Sequence, residues 1–100
     1  MPNKVVLDMP QIFKIGSYIV YFWSDEGLPT EPVHVHVAEG RPVPNGTKIW
    51  ITKSLHGIVA HNKSKIPSHI LNDIISVIEV HASTICEEWK KHFESLEFYC

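Results

Sequence analysis

Val33-His34-Val35-His36-Val37 alternates β-branched and imidazole side chains without a break, and the rest of the chain is read around it. Valine at every other position makes the run a strand, and residues two apart on a strand leave the same face. Both imidazoles therefore point one way, with Cα atoms roughly 7 Å apart, while the valines point the other. Such a strand lines an apolar core on one side. On the other it carries two groups able to ligate a metal, move a proton or meet a partner.

Upstream, Gln11 to Ile15 and Tyr18 to Trp23 are β-prone runs separated by Gly16-Ser17. Glycine at the first central position suits a type II′ hairpin turn. Tyr18, Val20 and Phe22 share one face of the second run, and Ile19, Tyr21 and Trp23 share the other. Neither face is polar, so this strand is expected to be covered on both sides or to border a groove. Ser24 to Pro32 reads as a loop carrying Asp25, Glu26 and Glu31.

Downstream, the histidine strand closes at Glu39-Gly40, and Pro42, Pro44 and Asn45-Gly46 make an irregular connection. Lys48 to Thr52 is a further strand through Ile49, Trp50 and Ile51. Leu55 to Lys65 is ambiguous, with Gly57 to Ala60 open as a short additional strand. Beyond Pro67 there is no glycine or proline, and Leu71, Ile74, Ile75, Ile78, Ala82, Ile85, Trp89, Phe93 and Leu96 form one helical stripe. Pro67 suits the first helical turn, or Ser68 the N-cap. A straight helix of about thirty residues would reach about 45 Å, too long for a domain of this size. A bend or break near Val80 to Ser83, or a protruding end, is expected. The fold class is α+β: about four mainly antiparallel strands, then a long or broken C-terminal helix packed on the sheet.

One hundred residues, 44% apolar and 20% charged, fit one soluble domain. The expected layout is an extension over residues 1–8, a domain over 9–97 and a tail over 98–100. No apolar run reaches the length of a membrane span, and the first residues lack a signal-peptide layout, so a cytoplasmic location is expected. Cys86 and Cys100 read as free thiols. The net charge is −2, Arg41 is the single arginine, and only Lys90 and Lys91 are adjacent; this disfavours nucleic acid as a partner. Seven histidines would turn the net charge positive on acidification, which suits a pH-responsive binding module.

His34 and His36 are candidate ligands for a divalent transition metal such as zinc, with Asp25, Glu26, Glu39 and His56 as further donors. Gly27, His34, His36, Glu39 and Gly46 fall near cupin spacing, but Glu39 stands too close and no second barrel half follows. On spacing alone, two imidazoles on a partly exposed face, bonded to neighbours such as Tyr21 or Glu26, are the more common outcome. General acid–base chemistry would pair His34 or His36 with Asp25 or Glu26, although adjacent acids more often form a solvated loop. Tyr21, Phe22, Trp23 and Trp50 could build a stacking platform. Trp23, Trp50, Lys48 and Asp25 are the candidate binding residues. Trp89 reads as core, and Glu87 with Lys91 as a solvated i,i+4 pair.

The order of these elements resembles the small bacterial and archaeal family called domain of unknown function 4160. The matching stretches are Met9-Pro10-Gln11-Ile12, Ile15-Gly16, Phe22-Trp23-Ser24-Asp25-Glu26, Pro32-Val33-His34-Val35-His36-Val37 with Gly40, and Lys48-Ile49-Trp50-Ile51. Leu71-Asn72-Asp73-Ile74 and Glu88-Trp89-Lys90-Lys91-His92-Phe93 complete the likeness. Val33 departs from the family's second proline, and the loop from Gly27 to Glu31 is longer than usual. The resemblance implies a partner in a two-gene, toxin–antitoxin-like module. The leading expectation is a small protein-interaction component that binds a small protein partner, its working surface around His34 and His36. The rival is a metal-dependent hydrolase or nuclease using those histidines, with Glu26 as a third catalytic group.

Overall fold

Gly16 adopts φ +60°, a left-handed conformation that costs glycine nothing, and so closes a two-residue turn. It joins β1 (Gln11–Ile15) to β2 (Tyr18–Tyr21), with Ile15 opposite Tyr18. The computed structural model describes residues 11–23 and 31–100. Asp25, Glu26, Met9 and Pro10, which carry part of the sequence reading, lie outside the described residues.

The histidine run forms β3 (His34–Glu39), followed by β4 (Thr47–Ile51) and β5 (Gly57–His61). The five strands among the described residues are antiparallel neighbours in the order β1-β2-β3-β4-β5. The open question at Gly57 to Ala60 thus resolves as a fifth strand, one more than the four expected. Its alternation was illegible because Ile58, Val59 and Ala60 are successive apolar residues and all three are exposed.

Alternation along β3 sorts the residues as expected. Val33, Val35 and Val37 join Val20, Phe22, Ile49 and Ile51 in the main core beneath the helices. Ile19, Tyr21 and Ala38 form a second, smaller cluster with Trp23 and Val43 packed against it. The apolar strand β2 is therefore covered on both faces, which explains why neither of its faces is polar.

The helical stripe is divided in two, α1 (Ser68–Val80) and α2 (Ala82–Phe93), with His81 between them. The break falls inside the expected window. The His81 N–H bonds Val77 O and Ile78 O, and Ile85 N–H bonds His81 O, so His81 is tied to both helices across the break. Leu71, Ile74, Ile78, Ala82, Ile85, Cys86 and Trp89 bury the inner face. Pro67 precedes the first helical residue, and its carbonyl accepts from Leu71 N–H; Ser68 is the first helical residue rather than a side-chain cap. Burial raises the Cys86 thiol pKa, keeping it protonated and inert.

After α2, Glu94 takes φ 57° and turns the chain back across the strand ends. Val33 N–H donates to Glu97 O and Lys53 N–H to Cys100 O, each at 2.8 Å. Leu96 and Phe98 pack against the core.

Candidate functional site

Strand pairing places Tyr21, His36, Lys48 and His61 in one row across β2 to β5. The next row sets His34 opposite Trp50 and Trp50 opposite Ile58. Residues directly opposite one another share a face, so His34, His36, Lys48, Trp50 and His61 belong to one side of the sheet. The paired candidates His34, His36, Lys48 and Trp50 are brought together.

The two imidazoles are buried, His34 at 0% and His36 at 4% exposure, where a partly exposed pair was expected. Their rings stand at 90° with centroids 5.2 Å apart. Tyr21 stacks on His36 at 5.6 Å, and Trp23 meets the Tyr21 ring edge-on. His34 lies against Trp50 at 5.6 Å and Trp89 at 5.1 Å. Trp89, read from the sequence as core, is indeed buried but also walls the histidine centre.

Backbone carbonyls orient both rings. His34 Nδ1 lies 3.0 Å from Pro32 O and His36 Nδ1 lies 3.2 Å from Gly46 O. A carbonyl only accepts, so in each neutral ring the proton sits on Nδ1 and the lone pair on Nε2. That is the tautomer a metal ligand or proton acceptor requires. Glu31 Oε1 stands 3.3 Å from His34 Nδ1 and 3.5 Å from Lys48 Nζ, where it would balance a positive charge on the imidazole. Glu31 appeared in the sequence only as one of three loop acids. Its position three residues before His34 is the signal that could have singled it out.

Gly46, which the sequence offered as part of an Asn-Gly turn and of the cupin-like spacing, has a different role in the structure. A Cβ there would overlap the Tyr21 hydroxyl and come within 3.1 Å of Tyr21 Cζ and 3.3 Å of His36 Cβ. The Tyr21 hydroxyl donates to Val43 O at 2.6 Å and accepts from Val43 N–H at 3.1 Å. Glycine is therefore required by close approach, and its carbonyl serves His36.

The other proposed donors stand elsewhere. Glu39 faces away from His36 along β3 and accepts from Ser17 Oγ at 3.1 Å. His56 is exposed beside Glu79, at 3.5 Å. Among the described residues no group of three His, Cys, Asp or Glu side chains could hold a metal ion. The two histidines could contribute two Nε2 donors to such an ion, no more.

His61, at the end of the Tyr21 row, has a pKa below the ordinary histidine value. Desolvation is the largest cause, followed by the nearby Lys63, His36 and Lys48 charges. Its Nδ1 accepts from Lys63 N–H at 3.3 Å, which also favours the neutral ring. The folded state thus binds the proton less readily than the unfolded chain. Stability contributed at His61 is present above the unfolded pKa and is lost as pH falls through the lowered folded value. A His61→Gln variant is expected to show a shallower loss of stability on acidification below about pH 6.5. Parallel urea titrations of both proteins across that range check it; identical slopes would remove His61 as a cause.

Lys48 Nζ lies 4.3 Å from the Trp50 ring centroid, a cation–π distance. Tyr99 stacks on Trp50 with centroids 4.8 Å apart and planes 4° from parallel. Nothing in the sequence links residues 49 positions apart, and Tyr99 escaped notice for that reason.

No helix among the described residues is long and apolar enough to cross a membrane. No curated protein and no solved structure matches the chain. The profile of the family described as Domain of unknown function (DUF4160) matches residues 17–90, which include β2 to β5, both histidines, Glu31, Gly46, Lys48, Trp50 and Trp89. With most of its length inside that match, the chain belongs to this family.

Proposed function

We propose that this chain is a small protein-interaction component of a two-gene, toxin–antitoxin-like module, and that it contacts its partner through β5. One observation carries the choice of surface. Ile58 is 40% and Val59 38% exposed on β5, and Leu55, just before that strand, is 36% exposed; among the described residues β5 is an edge strand paired with β4. The imidazoles, being buried, would contact a partner only after rearrangement. Ile58 lies on the Trp50 face and Val59 on the Ile49 face, so the β5 edge offers a partner an exposed apolar side chain on either side.

The edge itself is partly guarded. Gly57 N–H donates to Glu79 Oε2 at 2.9 Å. A register shift leaves Ala60 unmatched between His61 and Val59. A bulge and a covering carboxylate discourage indiscriminate strand addition, so the apolar side chains are the surface a specific partner would bury.

The test is calorimetric titration with the purified product of the adjoining gene. Binding should weaken at least about tenfold in Ile58→Lys, since a central apolar contact commonly exceeds the free energy of a decade in Kd. The melting temperature should stay put, because residue 58 is already exposed. Equal binding by the variant would reject β5, and no binding by the parent would reject the partner.

A second reading, a metal-dependent hydrolase or nuclease, is favoured by the two Nε2 lone pairs that the Pro32 and Gly46 carbonyls set up. Elemental analysis of tag-free protein separates it from the first. Near-stoichiometric metal that vanishes in His34→Ala/His36→Ala would put this reading ahead, and metal-free protein that resists reconstitution would retire it.

A further inference from the structure

We propose that the indole of Trp50 is a stacking site for a flat aromatic ring bearing an anionic group, and that Tyr99 occupies it in cis. The site adjoins β5, since Trp50 lies opposite Ile58 and Lys48 opposite His61, but the inference does not depend on the choice of protein partner.

The geometry is that of a stacked ligand rather than of a packed core. Tyr99 and Trp50 lie 4° from parallel at 4.8 Å, whereas the core pairs Phe22–Trp89 and Trp89–Phe93 are tilted by 60° and 49°. Tyr99 remains 57% exposed, and its hydroxyl makes no hydrogen bond among the described residues. The stack is its main attachment. Residues 94–100 are otherwise tied to the strand ends by the Glu97–Val33 and Cys100–Lys53 backbone bonds and by the half-buried Leu96 and Phe98.

The surroundings suit a ring with negative charge. Lys48 Nζ lies 4.3 Å from the indole, and His61 stands opposite Lys48 on β5, with Lys63 N–H bonded to the His61 ring. Glu31 at 3.5 Å from Lys48 is the acid an incoming anion would displace from that ammonium. Trp50, Lys48, His61 and Lys63 lie inside the family match, which ends at residue 90, while Tyr99 lies outside it. The platform is therefore part of the matched domain and its occupant is not.

Stacking on an aromatic side chain accepts any π-face, so a ring that replaces Tyr99 must compete with it. The probe is adenosine 5′-monophosphate, with binding read by Trp50 indole N–H shifts in a heteronuclear spectrum. Tyr99→Ala should bind it about tenfold more tightly than the parent, and Tyr99→Phe should match the parent because it keeps the stack. Trp50→Leu in the Tyr99→Ala background should abolish binding. Thermal melts confirm that each variant folds. Adenosine and inorganic phosphate, titrated separately, divide ring from charge. Adenosine alone shifting the indole resonance supports the stack, while phosphate binding without adenosine would replace the proposal with a plain anion site. Equal affinity in parent and Tyr99→Ala, or no binding in either, would overturn it.

Discussion

Replacing Trp89 by alanine is expected to cost about 3–5 kcal/mol, the usual range for deleting a large buried aromatic. Trp89 is 1% exposed and meets Phe93 at 4.4 Å, Phe22 at 5.2 Å and His34 at 5.1 Å. It holds α2 against Phe22, just past β2, and at the same time closes one side of the histidine centre. A domain of this size has about 5–15 kcal/mol of stability, so the variant should sit near the edge of folding. Urea denaturation gives the magnitude, and the His34 ring resonances report the site. A loss below about 1 kcal/mol would show that the surroundings collapse into the void, against the close packing expected of an interior. A shift of His34 without such a loss would mean that Trp89 supports the site more than the fold.

Gly46→Ala is expected to be the second most damaging change, at roughly 2–4 kcal/mol. Overpacking ordinarily costs about 1–3 kcal/mol, and pushing the Tyr21 phenol aside breaks its bonds with Val43 at about 1 kcal/mol each. The backbone is not the cause, because Gly46 is absent from the positive-φ residues; the added methyl simply has nowhere to go beside Tyr21 and His36. Tyr21→Phe tests this directly. Alone it should cost about 2 kcal/mol, for the two lost hydroxyl bonds. Combined with Gly46→Ala it should cost less than the two changes added, since the hydroxyl that blocks the methyl has gone. Strict additivity would mean that the methyl is accommodated some other way. The same variant should disturb the His36 ring, whose Nδ1 depends on the Gly46 carbonyl.

Both changes act on residues whose importance could not be read from spacing. Trp89 was legible as core because it falls on the helical stripe, yet its contact with His34 joins positions 55 residues apart. Gly46 was legible as a turn, yet its need to be glycine comes from Tyr21, a neighbour across the sheet. Asp25 and Glu26, the carboxylates that the sequence offered for catalysis and binding, lie outside the described residues. Within the described ones the carboxylate beside His34 is Glu31.

Local sequence was enough to determine the strand at residues 34–39, its division into a valine face and a histidine face, the Gly16 hairpin and the C-terminal helical stripe, while helix length left open a break near Val80 to Ser83 or a protruding end. The strand and the helical stripe follow from repeats of two or about 3.6 residues, which a chain cannot change without exposing its apolar face, and the hairpin from glycine at the turn. The fifth strand, the burial of both imidazoles, the carbonyls that set their tautomers and the return of Tyr99 onto Trp50 were decided by tertiary structure alone. These depend on which distant segments the sheet order brings together, and burial and close contact are properties of that assembly rather than of any stretch within it.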